Sequence, residues 1–264
     1  MTAPSAIGLR GQQVAYRLEG RKGAPVVLLV HGILTDHRAW DAVAADLGAD
    51  FAVLRYDVRG HGGSTAPPAP YTMEQLAADV PELLDALRID RVHFVGSSLG
   101  GMIGQQVGAR HGHRLLTLTL ANTGAAQAAA AAWQERIDVA RERGVAALAE
   151  PTMQRWFTEA WRQAHAAEVQ RMTDLLLGTS VEGYVGCAAA VRDLAQLDLL
   201  PRIAVPTLVV AGTEDTAMPP AATAKIAQLV PGARLVSLPT GHQGAVEQPQ
   251  AFCTAWREFV AAHT

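Results

Sequence analysis

The chain has only two cysteines, Cys187 and Cys253, far apart and in no CxxC or other metal-ligand spacing. That scarcity excludes a disulfide scaffold and predicts reduced thiols, as in a cytoplasmic protein. Excess charge is missing too: 22 Lys and Arg stand against 25 Asp and Glu, a formal net charge of -3. No broad basic field exists to hold a phosphate backbone, so nucleic acid is not an expected partner. Nor does any stretch reach the about 20 consecutive apolar residues that a membrane-crossing helix needs. Met1 to Gly11 lacks the basic start and apolar core of a secretory leader. With 49% hydrophobic and 18% charged residues in 264, the chain reads as a globular, cytoplasmic protein with no membrane partner and a small molecule as its partner.

What is present is an alternation of buried-strand text with helical text. Val26 to Val30, Ala52 to Tyr56, Val92 to Val95, Leu115 to Leu120 and Thr207 to Ala211 are short β-branched and leucine-rich runs. Such runs fit strands covered on both faces. Gln12 to Leu18 alternates weakly, and RLVSL (234–238) predicts a further short strand. Between strands, Thr72 to Leu87 opens with Thr72 and Gln75 in capping-box spacing, and Pro81 inside it predicts a kink. The fold class is α/β: a mostly parallel central sheet flanked by helices, with reactive loops at the carboxyl ends of strands. From Ala125 to about Leu200 strand text stops and helical text takes over. The division predicted is a core of 1–124 and 201–264 with a helical cap, 125–200, inserted.

Gly96-Ser97-Ser98-Leu99-Gly100 matches G-x-S-x-G between the strand RVHFV and the helical text LGGMIGQQVGAR. A serine on so tight a turn stands above the sheet, and glycines on either side let the backbones pass closely. Ser98 is the candidate nucleophile; Ser97 falls out of register. The Leu99 N–H at the following helix start and the Ile33 N–H after the strand VVLLV are the candidate oxyanion donors. Asp215 follows the strand TLVVA, with Glu214 as its competitor, and His242 follows RLVSL. The order Ser, Asp, His predicts that His242 is the base and Asp215 its orienting acid.

Other candidates recede. His31 has no metal partner spaced with it and reads as a brace for its loop. The glycine-rich Asp57 to Ser64 places Thr65 where a dinucleotide fingerprint needs its third glycine. His111 and His113 flank Gly112 at a helix end and read as surface residues. No metal and no cofactor is expected.

With these residues placed, the chain resembles the α/β-hydrolase superfamily throughout, and within it the 3-oxoadipate enol-lactonases. The text that carries the resemblance is RYDVRGHG (55–62), PYTMEQL (70–76), GMIGQ (101–105) after the elbow, and LANT (120–123). In the predicted cap it is WQERI (133–137), RWFT (155–158) and TSVEGYVGC (179–187). Two departures stand out: His31-Gly32 replaces a frequent Asn-Ser, and Gln243-Gly244-Ala245 replaces a frequent Leu-Ser-Asn.

The resemblance implies lactone or ester hydrolysis through an acyl-enzyme. A broad carboxylesterase or a cofactor-free perhydrolase on the same triad is the alternative within the superfamily. A hydrolase-like ligand-binding protein without turnover is the alternative outside it. A substrate carboxylate would need a cation, for which Arg136, Arg155 and Arg192 are candidates; Trp133, Trp156 and Tyr184 are candidate pocket walls. Dehalogenases and epoxide hydrolases carry aspartate at the elbow, where this chain has Ser98.

Overall fold

The computed structural model describes residues 4–263; Met1 to Ala3 and Thr264, at the outer limits of the predicted core, lie outside the described residues. Among these residues one sheet has eight strands: β1 Ser5–Leu9, β2 Gln12–Gly20, β3 Val26–Val30, β4 Ala52–Tyr56, β5 Val92–Ser97, β6 Leu115–Ala121, β7 Thr207–Gly212 and β8 Arg234–Leu238. The order across it is β1-β2-β4-β3-β5-β6-β7-β8. The pairs from β4 to β8 are parallel, while β1 with β2 and β2 with β4 are antiparallel. Sequence periodicity did not reveal β1, an edge strand with no buried residue.

The central strands read as continuous apolar runs because both faces are covered. In β3, Leu28 and Val30 enter one core while Val27 and Leu29 enter the other, the two-residue period of a strand. One face is packed by α1 Asp41–Leu47 and, from the end of the chain, a helix at Pro249–Ala261 whose Trp256 is fully buried. The other face is packed by α2 Met73–Ala86 and α3 Leu99–His111. The capping box predicted at Thr72 and Gln75 is present, and α2 runs on through Pro81.

Between β6 and β7 come α4 Ala130–Arg143, α5 Ala149–Trp156, α6 Glu159–Ala164, α7 Ala166–Leu177 and α8 Val181–Arg192. The entry and exit of this helical segment are stitched together: Gln127 N donates to Leu194 O, and Gln196 N to Ala125 O. Buried amides secure the exit to α3, with Gln106 donating to Gln196 and Gln196 to Gln105. After β7 come α9 Pro220–Leu229, α10 Gly244–Glu247 and α11, the Pro249–Ala261 helix. No helix among the described residues is long and apolar enough to cross a membrane.

The strand order reverses at β3, which has β4 on one side and β5 on the other. Loops leaving such a point diverge, and a crevice opens at the carboxyl ends. The loop after β3 and the turn after β5 therefore face each other across the future site.

Candidate active site

Ser98 sits where β5 turns into α3, with φ 54° and ψ -115°. That left-handed backbone is costly for a residue with a side chain and occurs where surrounding structure enforces it. The enforcement is visible: a Cβ on Gly96 would lie 2.2 Å from the Gly100 carbonyl oxygen, and one on Gly100 2.1 Å from that of Val30. Only glycine lets these strands and helix close so tightly. The Ser98 carbonyl accepts from Thr123 Oγ1 at 2.7 Å, which anchors the turn from β6.

Ser98 Oγ lies 3.0 Å from His242 Nε2, and His242 Nδ1 lies 2.8 Å from Asp215 Oδ2. All three side chains are buried. Because Nδ1 faces a carboxylate, it carries the ring proton, which leaves the Nε2 lone pair toward the serine hydroxyl. Asp215 Oδ1 accepts from the N–H groups of Ala217 and Met218, and Oδ2 also accepts from Asn122 Nδ2. Burial by itself would raise the Asp215 carboxyl; the His242 imidazole and these hydrogen bonds outweigh it and hold the group below the usual carboxylate range. Glu214 is exposed, whereas Asp215 is buried against His242.

Ser98 and His242 open onto a cavity beneath the inserted helices, with Asp215 behind the histidine. Ile33, Trp133, Arg136, Arg155, Trp156 and Tyr184 line it with Ser98 and His242. Leu99 is the first residue of α3, where the N–H has no intrahelical acceptor. The Ile33 N–H also donates to no backbone group among the described residues. Sequence reading missed the apolar wall of Met102, Leu148, Val191 and Met218, since those residues come from four separate segments.

The arginines sort differently from expectation. Arg192 is not a wall of the cavity: its guanidinium is held by Asp193 and Gln134, on the outer side of α8. Asp193, the next residue and the C-cap of α8, puts a carboxylate within its reach before any ligand. Arg136 and Arg155 form no ion pair among the described residues. Arg136 lies over the Trp133 ring, 5.0 Å from its centroid. Burial lowers the affinity of both guanidiniums for their protons, and the charge of Arg136 adds to the effect on Arg155. Tyr184, pushed up to about 12 by burial, lies beside them.

Around the loop after β3, His31 is the brace the sequence suggests: its Nε2 accepts from Val58 N at 2.9 Å. Asp36, His37 and Asp57 come within metal-ligand distance of one another. Their oxygens are engaged, however, by N–H donors of His37, Arg38 and Gly63. The two thiols are buried and free. Burial raises both, Cys253 to about 12. His111 is half-buried and His113 exposed.

A family model described as alpha/beta hydrolase fold matches residues 25–249. The chain is 34% identical to 3-oxoadipate enol-lactonase 2 of Acinetobacter baylyi, with 92% of each protein covered. It is similar to the crystal structure of the enol-lactonase from Burkholderia xenovorans LB400, with a TM-score of 0.95 and 36% identity over 97% of this chain and 100% of that one. A hydrolase from Pseudomonas aeruginosa PA01 superposes with a TM-score of 0.94 and 41% identity, covering 97% of this chain and 98% of that one.

Proposed function

This chain belongs to the α/β-hydrolase fold family, and from that premise we propose that it is a serine hydrolase of carboxylate-bearing lactones, with 3-oxoadipate enol-lactone as substrate. The observation that carries the reading is the bonded series Ser98, His242, Asp215, whose serine and histidine line a cavity with two arginines that have no ion-pair partner among the described residues. A half-buried cation with no ion-pair partner is a ready site for an anionic ligand, and a substrate carboxylate would supply the counter-charge. The two free thiols support a cytoplasmic setting.

In this mechanism His242 Nε2 takes the Ser98 proton as the hydroxyl oxygen attacks the lactone carbonyl. The N–H groups of Ile33 and Leu99 donate to the oxyanion that forms. Asp215 keeps the imidazole in its Nδ1–H tautomer and stabilises the imidazolium. Collapse of the tetrahedral species breaks the ring C–O bond and releases an enol oxygen, which takes its proton from His242. A water deprotonated by His242 then attacks the acyl-enzyme and frees Ser98. Residues 125–200 act as a cap that brings Arg136, Arg155, Trp133, Trp156 and Tyr184 over the serine. No step calls for a metal or cofactor.

The test compares turnover of 3-oxoadipate enol-lactone with that of simple aryl esters. The lactone is expected to be the better substrate by kcat/KM, and reaction of the esters alone would overturn the assignment in favour of a broad carboxylesterase. Ser98→Ala is expected to lower kcat by about 10⁴-fold or more with folding intact. Replacement of Asp215 should be severe and that of Glu214 mild.

A further inference from the structure

The Gly32 carbonyl oxygen accepts two hydrogen bonds inside its own loop, one from His31 Nδ1 at 2.7 Å and one from Thr35 Oγ1 at 2.8 Å. Thr35 is 1% exposed. A trans peptide is planar, so its carbonyl and the N–H of the next residue point in opposite directions. Fixing the Gly32 oxygen therefore fixes the direction of the Ile33 N–H. This peptide is packed on the elbow: a Cβ on Gly32 would meet Ser98 Cβ at 3.3 Å. The next peptide is held as well, since Leu34 N donates to His61 Nε2 at 3.1 Å, with Leu34 in a left-handed conformation at φ 62°.

We propose that Thr35 is a positioning residue of the oxyanion hole: with His31, its hydroxyl pins the Gly32 carbonyl inward and so aims the Ile33 N–H at the space above Ser98. The inference rests on the reading of Ser98 as nucleophile. Thr35 does not line the cavity; its effect passes through one rigid peptide. Oxyanion donors stabilise a transition state only if they are oriented beforehand, because reorienting them during the reaction would consume the gain. A free peptide at this position could rotate, and a second donor on the carbonyl opposes that rotation. His31 supplies the first; its other nitrogen is tied to Val58. Thr35 supplies the second.

The experiment uses Thr35→Val, which keeps the shape and removes the hydroxyl, beside Thr35→Ser, which keeps the hydroxyl. Removing a whole oxyanion donor costs roughly 100-fold or more in kcat, so loosening one should cost about 10-fold in Thr35→Val. KM should stay within about 2-fold, because ground-state binding does not use the hole. Binding of an alkylboronic acid, which forms a tetrahedral adduct on a serine, should weaken in parallel with kcat. Thr35→Ser should return both quantities to near the native values. Should Thr35→Val fail to fold, Thr35→Ala serves with the same readouts. Unchanged kcat in the variant lacking the hydroxyl, or a loss that Thr35→Ser does not restore, overturns the proposal. Activity surviving Ser98→Ala would instead remove the underlying reading, so the two failures are distinguishable.

Discussion

Asn122, the residue just after β6, donates to Asp215 Oδ2 and to the Gly241 carbonyl from one side-chain amide, each at 3.1 Å. It thus bonds Asp215 directly and the residue before His242. Its own φ is 46°, a left-handed backbone that asparagine tolerates better than most residues. Asn122→Ala should lower kcat by about 10-fold, because a buried acceptor on Asp215 loses a donor worth about 1–3 kcal/mol. Asn122→Asp should be worse, since a second carboxylate opposes ionisation of the first. Steady-state kinetics on both variants checks the ranking.

Arg136 and Arg155 can be separated from general packing by changing the charge of the substrate. Arg136→Met should raise KM for the anionic lactone by about 10- to 100-fold, the range of a lost hydrogen bond to a charged group. A neutral aryl ester should keep its KM within about 2-fold. Equal losses on both substrates would assign the residue to packing.

Glu247 joins the insertion to the His242 loop, accepting from Gly241 N and from Thr158 N at 3.2 Å each. The Trp156 carbonyl adds a bond from Gln243 N on the other side of the histidine. Burial raises the Glu247 carboxyl. Glu247→Ala leaves two partly buried N–H groups unpaired and should destabilise the protein by about 2 kcal/mol. Thermal denaturation, with KM measured alongside, tests this; a change in KM is expected because Arg155 and Trp156 adjoin the freed segment.

Stability should fall as the medium is acidified from neutrality, partly through His93 at the base of the sheet. Its ring contacts Thr117 Oγ1 at 3.0 Å and packs edge-on against Phe51 and Trp256. Burial lowers it to about 4. Between the ordinary value near about 6.5 and that value the unfolded chain binds a proton that the native one does not, so stability rises with pH across this window. The contribution is fully present above the window and is lost as pH drops through it. Between pH 7 and 5 the loss is on the order of 2 kcal/mol. A His93→Leu variant should show a correspondingly shallower fall of Tm over that range.

Gly183, in the first turn of α8, touches Gly60 backbone to backbone: a Cβ on Gly183 would lie 1.9 Å from the Gly60 carbonyl oxygen. Gly183→Ala must push α8 away from the loop after β4, and Tyr184 moves with it. Overpacking of this kind costs about 1–3 kcal/mol, or more where backbone must shift. A lower Tm together with altered kcat/KM is expected; a native Tm would show that the helix has room to slide.

Much of this organisation is local and was therefore legible. Strands β3, β4, β5 and β7 are apolar runs because they lie between two layers of helices, and that burial is written into consecutive residues. Strand β1 pairs at an exposed edge, so nothing in Ser5 to Leu9 had to be apolar in a pattern. The Ser98 turn was legible for the same local reason, its glycines being demanded by contacts within five residues and with β3. Asn122, Thr35 and Glu247 carry no such mark: each is an ordinary polar residue whose partners lie on other loops or come into reach only when the loop folds back.

The order of the chain by itself determined the α/β class, the tight turn at Ser98 and the succession of serine, acid and histidine, because each depends on short-range periodicity and sterics. Tertiary structure alone decided that Asp215 rather than Glu214 meets His242, and that Arg136 and Arg155 face the cavity while Arg192 pairs with Asp193. Those choices depend on which side of a loop or helix faces inward, and facing is set by packing among segments far apart in the chain.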